Sequence, residues 1–120
     1  MKIAIPRSGE DVAPCVGHCA LMTIYTITEG HISNQVDFPL RSQEPFDRVR
    51  LLRDQGVDTI ICGGIQDVLE ECFRGSGIDV ISWVTGRVDS LLELYLRGQL
   101  VSGDEDTLPP GPDLPSHSSR

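Results

Sequence analysis

The chain has 120 residues, of which 39% are hydrophobic and 5% aromatic, and its formal net charge is −8. This length fits a single domain whose core is built mainly from aliphatic side chains. The acidic charge argues against nucleic acid and anionic membranes as partners, because both are bound through basic surfaces, and no apolar run reaches the roughly 18 residues of a membrane-spanning helix.

The first forty residues predict three strands. Residues 2–6 alternate between apolar and polar side chains, and Pro6 is expected to end this strand. Residues 7–17 contain glycines, a proline and a Ser-Gly pair, which are typical of a loop. Residues 21–28 are β-branched and aromatic, and residues 31–40 follow a Glu-Gly turn, so these two segments predict a β-hairpin.

The second half of the chain predicts alternating helices and strands. Apolar residues recur at helical spacing around 46–53, 65–73 and 88–96, and a glycine that can end a helix follows each segment. Short apolar strands are expected at 57–62 and 78–82, buried as in a parallel sheet. This order predicts an α/β fold in which a mixed β-sheet of about five strands is flanked by three helices.

The end of the chain has a different composition. Residues 102–120 are rich in Pro, Ser and Asp and contain few apolar residues. Such a segment cannot bury enough apolar surface to offset the entropy of ordering it. We therefore predict one α/β domain over residues 1–101 and a disordered tail over residues 102–120.

Cysteines lie at positions 15, 19, 62 and 72. The N-terminus lacks the long apolar stretch and cleavage pattern of a signal peptide. The expected compartment is therefore the cytoplasm, where cysteines stay reduced or bind metals. Cys72 falls on the apolar face of the second predicted helix, and we expect it in the core.

The segment 14–19 (Pro-Cys-Val-Gly-His-Cys) places two thiols and an imidazole within five residues. Gly17 allows the backbone to bend, so that Cys15, His18 and Cys19 can converge. Thiolate and imidazole ligands favour zinc, copper(I) or iron within a cluster. The spacing matches neither a zinc finger nor a ferredoxin, which favours an open site for a preassembled cofactor. The alternative is that the cysteines are small buried residues of the core.

A second candidate segment is Cys62-Gly63-Gly64, which follows a predicted parallel strand and precedes a helix. Open α/β sheets bind ligands at such strand ends. The glycines would allow backbone N–H groups to approach an anion near the positive end of the helix. The alternative is a tight turn between strand and helix that binds nothing.

Catalytic motifs are scarce in this chain. It contains no GxSxG elbow, no phosphate-binding loop of the Walker type and no HExxH helix. A Cys–His nucleophile around Cys15 or Cys19 has no visible orienting partner besides His18. These observations favour binding over catalysis, with a cysteine-based redox or hydrolytic enzyme as an alternative.

Several segments taken together resemble one known family. The segments that carry the resemblance are residues 1–6, Gly17-His18-Cys19, residues 61–65, Gly77-Ile78, Gly86-Arg87-Val88 and residues 95–100. Over about residues 1–100 the chain resembles the dinitrogenase iron–molybdenum cofactor biosynthesis proteins. This NifX/NafY-like family includes small stand-alone domains and the orange protein of sulfate reducers.

The resemblance implies a ribonuclease-H-like α/β fold without nuclease activity. It also implies noncovalent binding, storage or carriage of a metal–sulfur cluster that contains molybdenum with iron or copper. The residues that it assigns to the site are Cys15, Gly17, His18, Cys19, Cys62, Gly63 and Gly64, with Cys15, His18 and Cys19 as the metal ligands. Family members commonly carry His-Phe-Gly where this chain has Cys-Val-Gly at 15–17, which keeps a ligand but makes it softer.

The leading hypothesis is therefore a cluster carrier that is not an enzyme. The alternative is a protein-interaction or regulatory module that associates with iron–sulfur cluster assembly proteins and binds no metal. In that case the Pro-rich tail would be a linker and the cysteines would have no role in binding.

Overall fold

The computed structural model describes residues 1–42 and 44–103. In chain order its elements are β1 (Lys2–Ser8), β2 (Asp11–Val12), a single 3-10 turn (Val16–His18), β3 (Leu21–Thr28), β4 (His31–Pro39), α1 (Phe46–Asp54), β5 (Thr59–Ile61), α2 (Asp67–Gly75), β6 (Asp79–Ile81) and α3 (Val88–Leu96). Most of the predicted tail, residues 104–120, lies outside the described residues.

The strands form one mixed sheet in the order β4-β3-β1-β5-β6, with the short β2 paired to the end of β1. β1 pairs antiparallel with β3 and parallel with β5, and β5 pairs parallel with β6. The predicted β3–β4 hairpin is present. Without β2, this is the order of the ribonuclease-H-like fold, so the predicted α/β class is confirmed.

Both faces of the sheet are covered, as the alternation along β1 requires. Ala4 belongs to a core cluster that also contains Leu52 of α1 and Phe73 of α2. Ile3 and Ile5 belong to a second cluster, on the opposite face, with Leu91 and other residues of α3. The molecule therefore has three layers, with α1 and α2 on one side of the sheet and α3 on the other.

β1 does not end at Pro6 as expected but continues to Ser8. In a β-strand, the N–H and the carbonyl of one residue point to the same side of the strand. The carbonyl of Pro6 accepts a hydrogen bond from the Ala13 N–H at 2.8 Å, and Ala13 does not belong to β3. The N–H that proline lacks would therefore point away from β3. Because no bond to β3 is lost, the strand tolerates the proline.

α2 begins at Asp67, two residues later than the apolar pattern predicts, so Ile65 precedes the helix. Val68 is 53% exposed, whereas Leu69 and Phe73 are buried. Cys72 of α2 is half-buried and packs against the core cluster between the sheet and the helices α1 and α2. It was expected in the core and lies at its border.

In the described part of the chain, every helix is too short to span a bilayer. The carboxyl ends of β1, β5 and β6 lie at one edge of the sheet, because these strands run parallel. The loop that follows β2 returns to this same edge before β3 begins, which brings the candidate segments together.

Candidate functional site

The cysteine-containing loop lies directly beside the double-glycine turn at the carboxyl end of β5. The Val16 N–H donates to the Gly64 carbonyl at 2.9 Å, and the Gly64 N–H donates to the Pro14 carbonyl at 2.7 Å. Together these bonds form a parallel bridge between Cys15 and Gly64. The structure therefore brings together the two segments that the sequence singled out.

The close approach of the two backbones explains both glycines. A Cβ atom at Gly63 would lie 2.6 Å from the Ala13 carbonyl oxygen, and one at Gly64 would lie 3.0 Å from the ring of Trp83. No other residue fits at Gly63 without moving backbone. The Gly64 N–H is committed to Pro14 and is not available to an anion.

Trp83 follows β6 and completes this corner. Its φ of 60° is unusual for a bulky residue. Its N–H donates to the Gly63 carbonyl at 2.9 Å, and its half-buried ring lies over Gly64. This role is not predictable from the sequence, because a left-handed tryptophan cannot be recognised from its neighbours in the chain.

Pockets open on either side of Pro14. One of about 420 Å³ is lined by Cys15, His18 and Cys19 together with Arg7. Another of about 350 Å³ is lined by the double glycine and Asp11. The predicted site is therefore divided, with the soft side chains facing one pocket and the glycines the other.

Cys15 and Gly64 meet again in a third depression, of about 490 Å³, which Trp83 also lines. Cys15 thus lies at the border between the thiol-lined pocket and the glycine corner. Its Sγ is 3.9 Å from the position that a Cβ of residue 17 would occupy, so a side chain at Gly17 would contact this thiol.

The cysteines of the site differ in burial. Cys15 is half-buried, and Cys19 is 6% exposed with its Sγ donating to the Val16 carbonyl at 3.1 Å. Burial raises the pKa of the Cys19 thiol, and the hydrogen bond and charge of Arg48 oppose this rise only in part. Cys62 is fully buried, and burial raises the pKa of its thiol strongly.

Within residues 1–42 and 44–103, no three His, Cys, Asp or Glu side chains lie close enough together to hold a metal ion. Cys15, His18 and Cys19 line one pocket but do not converge on a single point. His18 is exposed, and Cys62 lies inside the core cluster with Cys19.

Two arginines, Arg7 and Arg48, lie beside the loop, and the sequence gives no direct indication of the second. Arg7 lines the thiol pocket, and its Nη1 is 3.4 Å from Thr23 Oγ1 and 4.0 Å from Asp37 Oδ1. Arg48 of α1 is 3% exposed and donates to the carbonyls of Val16 and Cys19. The sequence feature that could have indicated the burial of Arg48 is its position four residues before Leu52, on the apolar face of α1.

Comparison with protein families gives a match over residues 1–98, to the family described as dinitrogenase iron–molybdenum cofactor. This chain belongs to that family. The resemblance drawn from the sequence is thereby confirmed. No curated protein sequence matches the chain significantly.

Solved structures show the same fold as this family member. The crystal structure of a protein named PH0822 superposes with a TM-score of 0.80 at 22% identity, covering 88% of this chain and 96% of that one. A candidate dinitrogenase from Methanocaldococcus jannaschii gives 0.71 at 19% identity, covering 91% and 97%. The apo form of the orange protein from Desulfovibrio gigas gives 0.69 at 18% identity, covering 85% and 92%.

The donor set of this family member fits a cluster better than a single ion. A bare ion requires its ligands within about 2.0 to 2.3 Å of one point, and the described residues do not offer such a group. A cluster presents several metal atoms, so that side chains spread along a pocket can each reach a different one. The thiols and imidazole that face the 420 Å³ pocket have this arrangement.

Proposed function

We propose that this protein binds and carries a metal–sulfur cluster, containing molybdenum with iron or copper, and that it is not an enzyme. The observation that carries the proposal is the pocket lined together by Cys15, His18 and Cys19, with Arg7 at its wall. Membership of the iron–molybdenum cofactor family supports the same class of cargo.

The size of the pocket favours a cluster over a solvated ion. Its volume of about 420 Å³ lies in the range that small-molecule ligands occupy in proteins, on the order of 300 to 1,000 Å³. A soft thiolate or imidazole at its wall suits copper, iron or molybdenum bound to sulfide. We propose Cys15 and His18 as the first ligands, because both are accessible.

Cys19 requires a local change before it can bind a metal. Its thiol donates to the Val16 carbonyl and is 6% exposed, so ligation needs loss of that hydrogen bond and of the proton. A metal ion favours the thiolate strongly and supplies the driving force. Cys19 would therefore join the cluster after Cys15.

The remaining predicted residues have a different part in the proposal. Gly63 and Gly64 allow the loop to lie against the β5–α2 turn, and Cys62 fills the core behind it. We propose that these three residues shape the site without contacting the cargo. Gly17 keeps space free beside the thiol of Cys15.

The charge of the site complements an anionic cluster. The whole chain has a net charge of −8, which would repel a negative thiometallate. Arg7 at the pocket and Arg48 behind the loop supply positive charge locally, where an attractive interaction is needed.

We further propose cluster-assembly proteins as partners and the cytoplasm as the compartment. All four cysteines are free thiols, which supports a reducing environment. In the described part of the chain, β4 pairs with β3 alone, and the side chains of residues 31–37 are exposed. An open strand edge of this kind can accept a strand from another protein.

Anaerobic purification followed by elemental analysis tests the proposed function. We expect molybdenum with iron or copper and acid-labile sulfide at near-stoichiometric amounts in protein isolated from its native cells. Purification of a Cys15→Ala variant from the same cells provides the comparison. Metal-free wild-type protein, or a variant that retains all its metal, would exclude the loop as the binding site.

A further inference from the structure

Arg48 is a buried charge with an unusual set of partners. Its exposure is 3%, and the other buried polar residues among those described, Thr23, Thr59 and Ser82, carry no charge. Burying a guanidinium is costly unless its donors are satisfied. The hydrogen-bond partners of the guanidinium therefore indicate which backbone segments this residue holds in place.

The guanidinium connects two separate segments of backbone. Its Nε donates to the Val16 carbonyl at 3.2 Å and its Nη2 to the Cys19 carbonyl at 2.9 Å. Its Nη1 donates to the carbonyls of Ser42 and Glu44, at 3.0 and 3.1 Å. Arg48 thus ties both ends of the turn that carries Gly17 and His18 to the segment that leads into α1.

No carboxylate of the described residues forms an ion pair with this arginine. The ion pairs among the described residues involve Arg7, Arg50, Arg74, Arg87 and Arg97, and Arg48 is not among these arginines. Carbonyl dipoles satisfy its donors but leave the positive charge in place. An anion bound on the other side of the loop would be attracted by this charge, since screening by water is weak at a buried group.

We propose that Arg48 is the positioning residue of the cluster-binding loop. It holds the Val16 and Cys19 carbonyls so that the thiols of the loop face the pocket, and it places a buried positive charge behind an anionic cargo. The second part of the proposal rests on the proposed function. The first part concerns the loop itself and is testable without any cargo.

Arg48→Met and Arg48→Lys separate the two parts, and Arg53→Met is the matched control. Methionine keeps an unbranched apolar stem but removes the guanidinium with its charge and donors, whereas lysine keeps the charge and loses the planar fork. Arg53 lies on the same helix and is exposed, and its side chain makes no hydrogen bond or ion pair among the described residues.

Amide hydrogen exchange of residues 16–19 measures the positioning of the loop. In Arg48→Met we expect these amides to exchange at least about 10-fold faster than in wild type, while amides at the centre of β3 keep their rates. Arg53→Met should match wild type throughout. Unchanged loop exchange in Arg48→Met, or equal acceleration in Arg53→Met, would overturn the positioning role.

Titration with tetrathiomolybdate and copper(I) measures the role of the charge. Loss of supporting groups around a metal site typically lowers affinity about 10- to 100-fold, and we expect this loss in Arg48→Met with partial recovery in Arg48→Lys. Equal affinities of wild type and Arg48→Met would overturn the charge role. If wild type itself bound no cluster, the proposed function and the charge role would fail together, and loop exchange would still decide the positioning role.

Arg48→Lys also covers the case in which the methionine variant does not fold. A lysine has three N–H donors and cannot reach the four carbonyls that Arg48 binds. Faster exchange of the loop amides in folded Arg48→Lys would support the positioning role, and wild-type exchange rates would overturn it.

Discussion

The cysteines of this protein occupy distinct environments, and these give each thiol different chemistry. Cys62 is fully buried and Cys19 nearly so, whereas Cys15 and Cys72 are half-buried. Burial raises the pKa of both Cys62 and Cys19, because a thiolate in the core loses its hydration. The accessible Cys15 is therefore the thiol that a metal can reach without disturbing the core.

The raised pKa of Cys62 predicts a loss of stability at alkaline pH. Above the pKa of an unfolded cysteine, about 8.5, the unfolded chain releases a proton that the folded chain retains, so the free energy of unfolding falls. From pH 7.5 to 9.5 we expect Cys62 to contribute a decrease of about 1 kcal/mol. Urea unfolding with a reducing agent present measures this decrease.

Cys62→Ala should flatten this pH dependence, although it lowers stability at neutral pH by leaving a cavity. Cys72→Ala is the control, since Cys72 lies partly exposed on the same core cluster. An equally steep decrease in wild type and Cys62→Ala would show that Cys62 ionises as readily in the folded protein as in the unfolded chain.

Gly63 provides a second prediction at the scale of one residue. Its Cβ in Gly63→Ala would lie 2.6 Å from the Ala13 carbonyl oxygen, so the loop must move away from β5. Overpacking of this kind costs about 1 to 3 kcal/mol in the free energy of unfolding. Chemical denaturation of Gly63→Ala should show a loss in this range.

Gly75→Ala is the matched control for Gly63→Ala. Gly75 ends α2, and a Cβ there would have no neighbour within 4 Å. Alanine favours a helix over glycine, so the control should be neutral or slightly more stable. Equal stabilities of the two variants would mean that the loop does not pack on Gly63.

Among the elements, α2 shows most clearly which apolar residues hold the layers together. Phe73 is fully buried, whereas Val68 on the same helix is 53% exposed. We expect Phe73→Ala to lower the free energy of unfolding by about 3 to 5 kcal/mol. Val68→Ala should change it by less than about 0.5 kcal/mol, as exposed substitutions usually do.

Thermal or urea unfolding of both variants checks this prediction. A large loss in Val68→Ala would indicate that α2 is rotated about its axis so that Val68 faces the sheet. A small loss in Phe73→Ala would indicate that the core between α2 and the sheet is loosely packed.

The order of the elements was predictable because local patterns determined it. Apolar spacing placed three helices, and β-branched runs placed the strands of the hairpin and the parallel strands. The continuation of β1 through Pro6 was not predictable, because it depends on which side of the strand a neighbour lies. The short β2 was also missed, since two residues carry no detectable alternation.

The site was predictable only in part. Parallel strands end at one edge, so the meeting of the cysteine loop with the double-glycine corner follows from topology. The division of the site into separate pockets depends on Pro14, whose placement is a matter of tertiary packing. The role of Arg48 depends on carbonyls 29 and 32 residues away in the chain, which no local pattern reveals.

For the whole molecule, the end of the folded domain is the first testable feature. Ser82 is buried; its N–H donates to Ser102 Oγ at 3.0 Å, and its carbonyl accepts from the Gly103 N–H at 2.9 Å. We therefore expect a chain truncated after residue 103 to keep the stability of the full chain. Truncation after residue 101 removes both bonds and should cost about 1 to 3 kcal/mol.

Urea unfolding of the two truncated chains beside the full chain measures this difference. Equal stability of both truncated chains would place the end of the domain at residue 101, as the composition of the sequence predicts. A loss of stability in the longer truncated chain would mean that residues beyond 103 contribute to the fold.

Anaerobic reconstitution tests whether an anionic cluster binds at the cysteine loop. Apo-protein is mixed with tetrathiomolybdate and copper(I), separated by gel filtration, and its visible absorption and metal content are measured. We predict stoichiometric cluster bands in wild type and in Cys72→Ala, and their loss in the double variant Cys15→Ala/Cys19→Ala. Absent bands in wild type, or equal bands in all three proteins, would show that the cysteine loop does not bind the cluster.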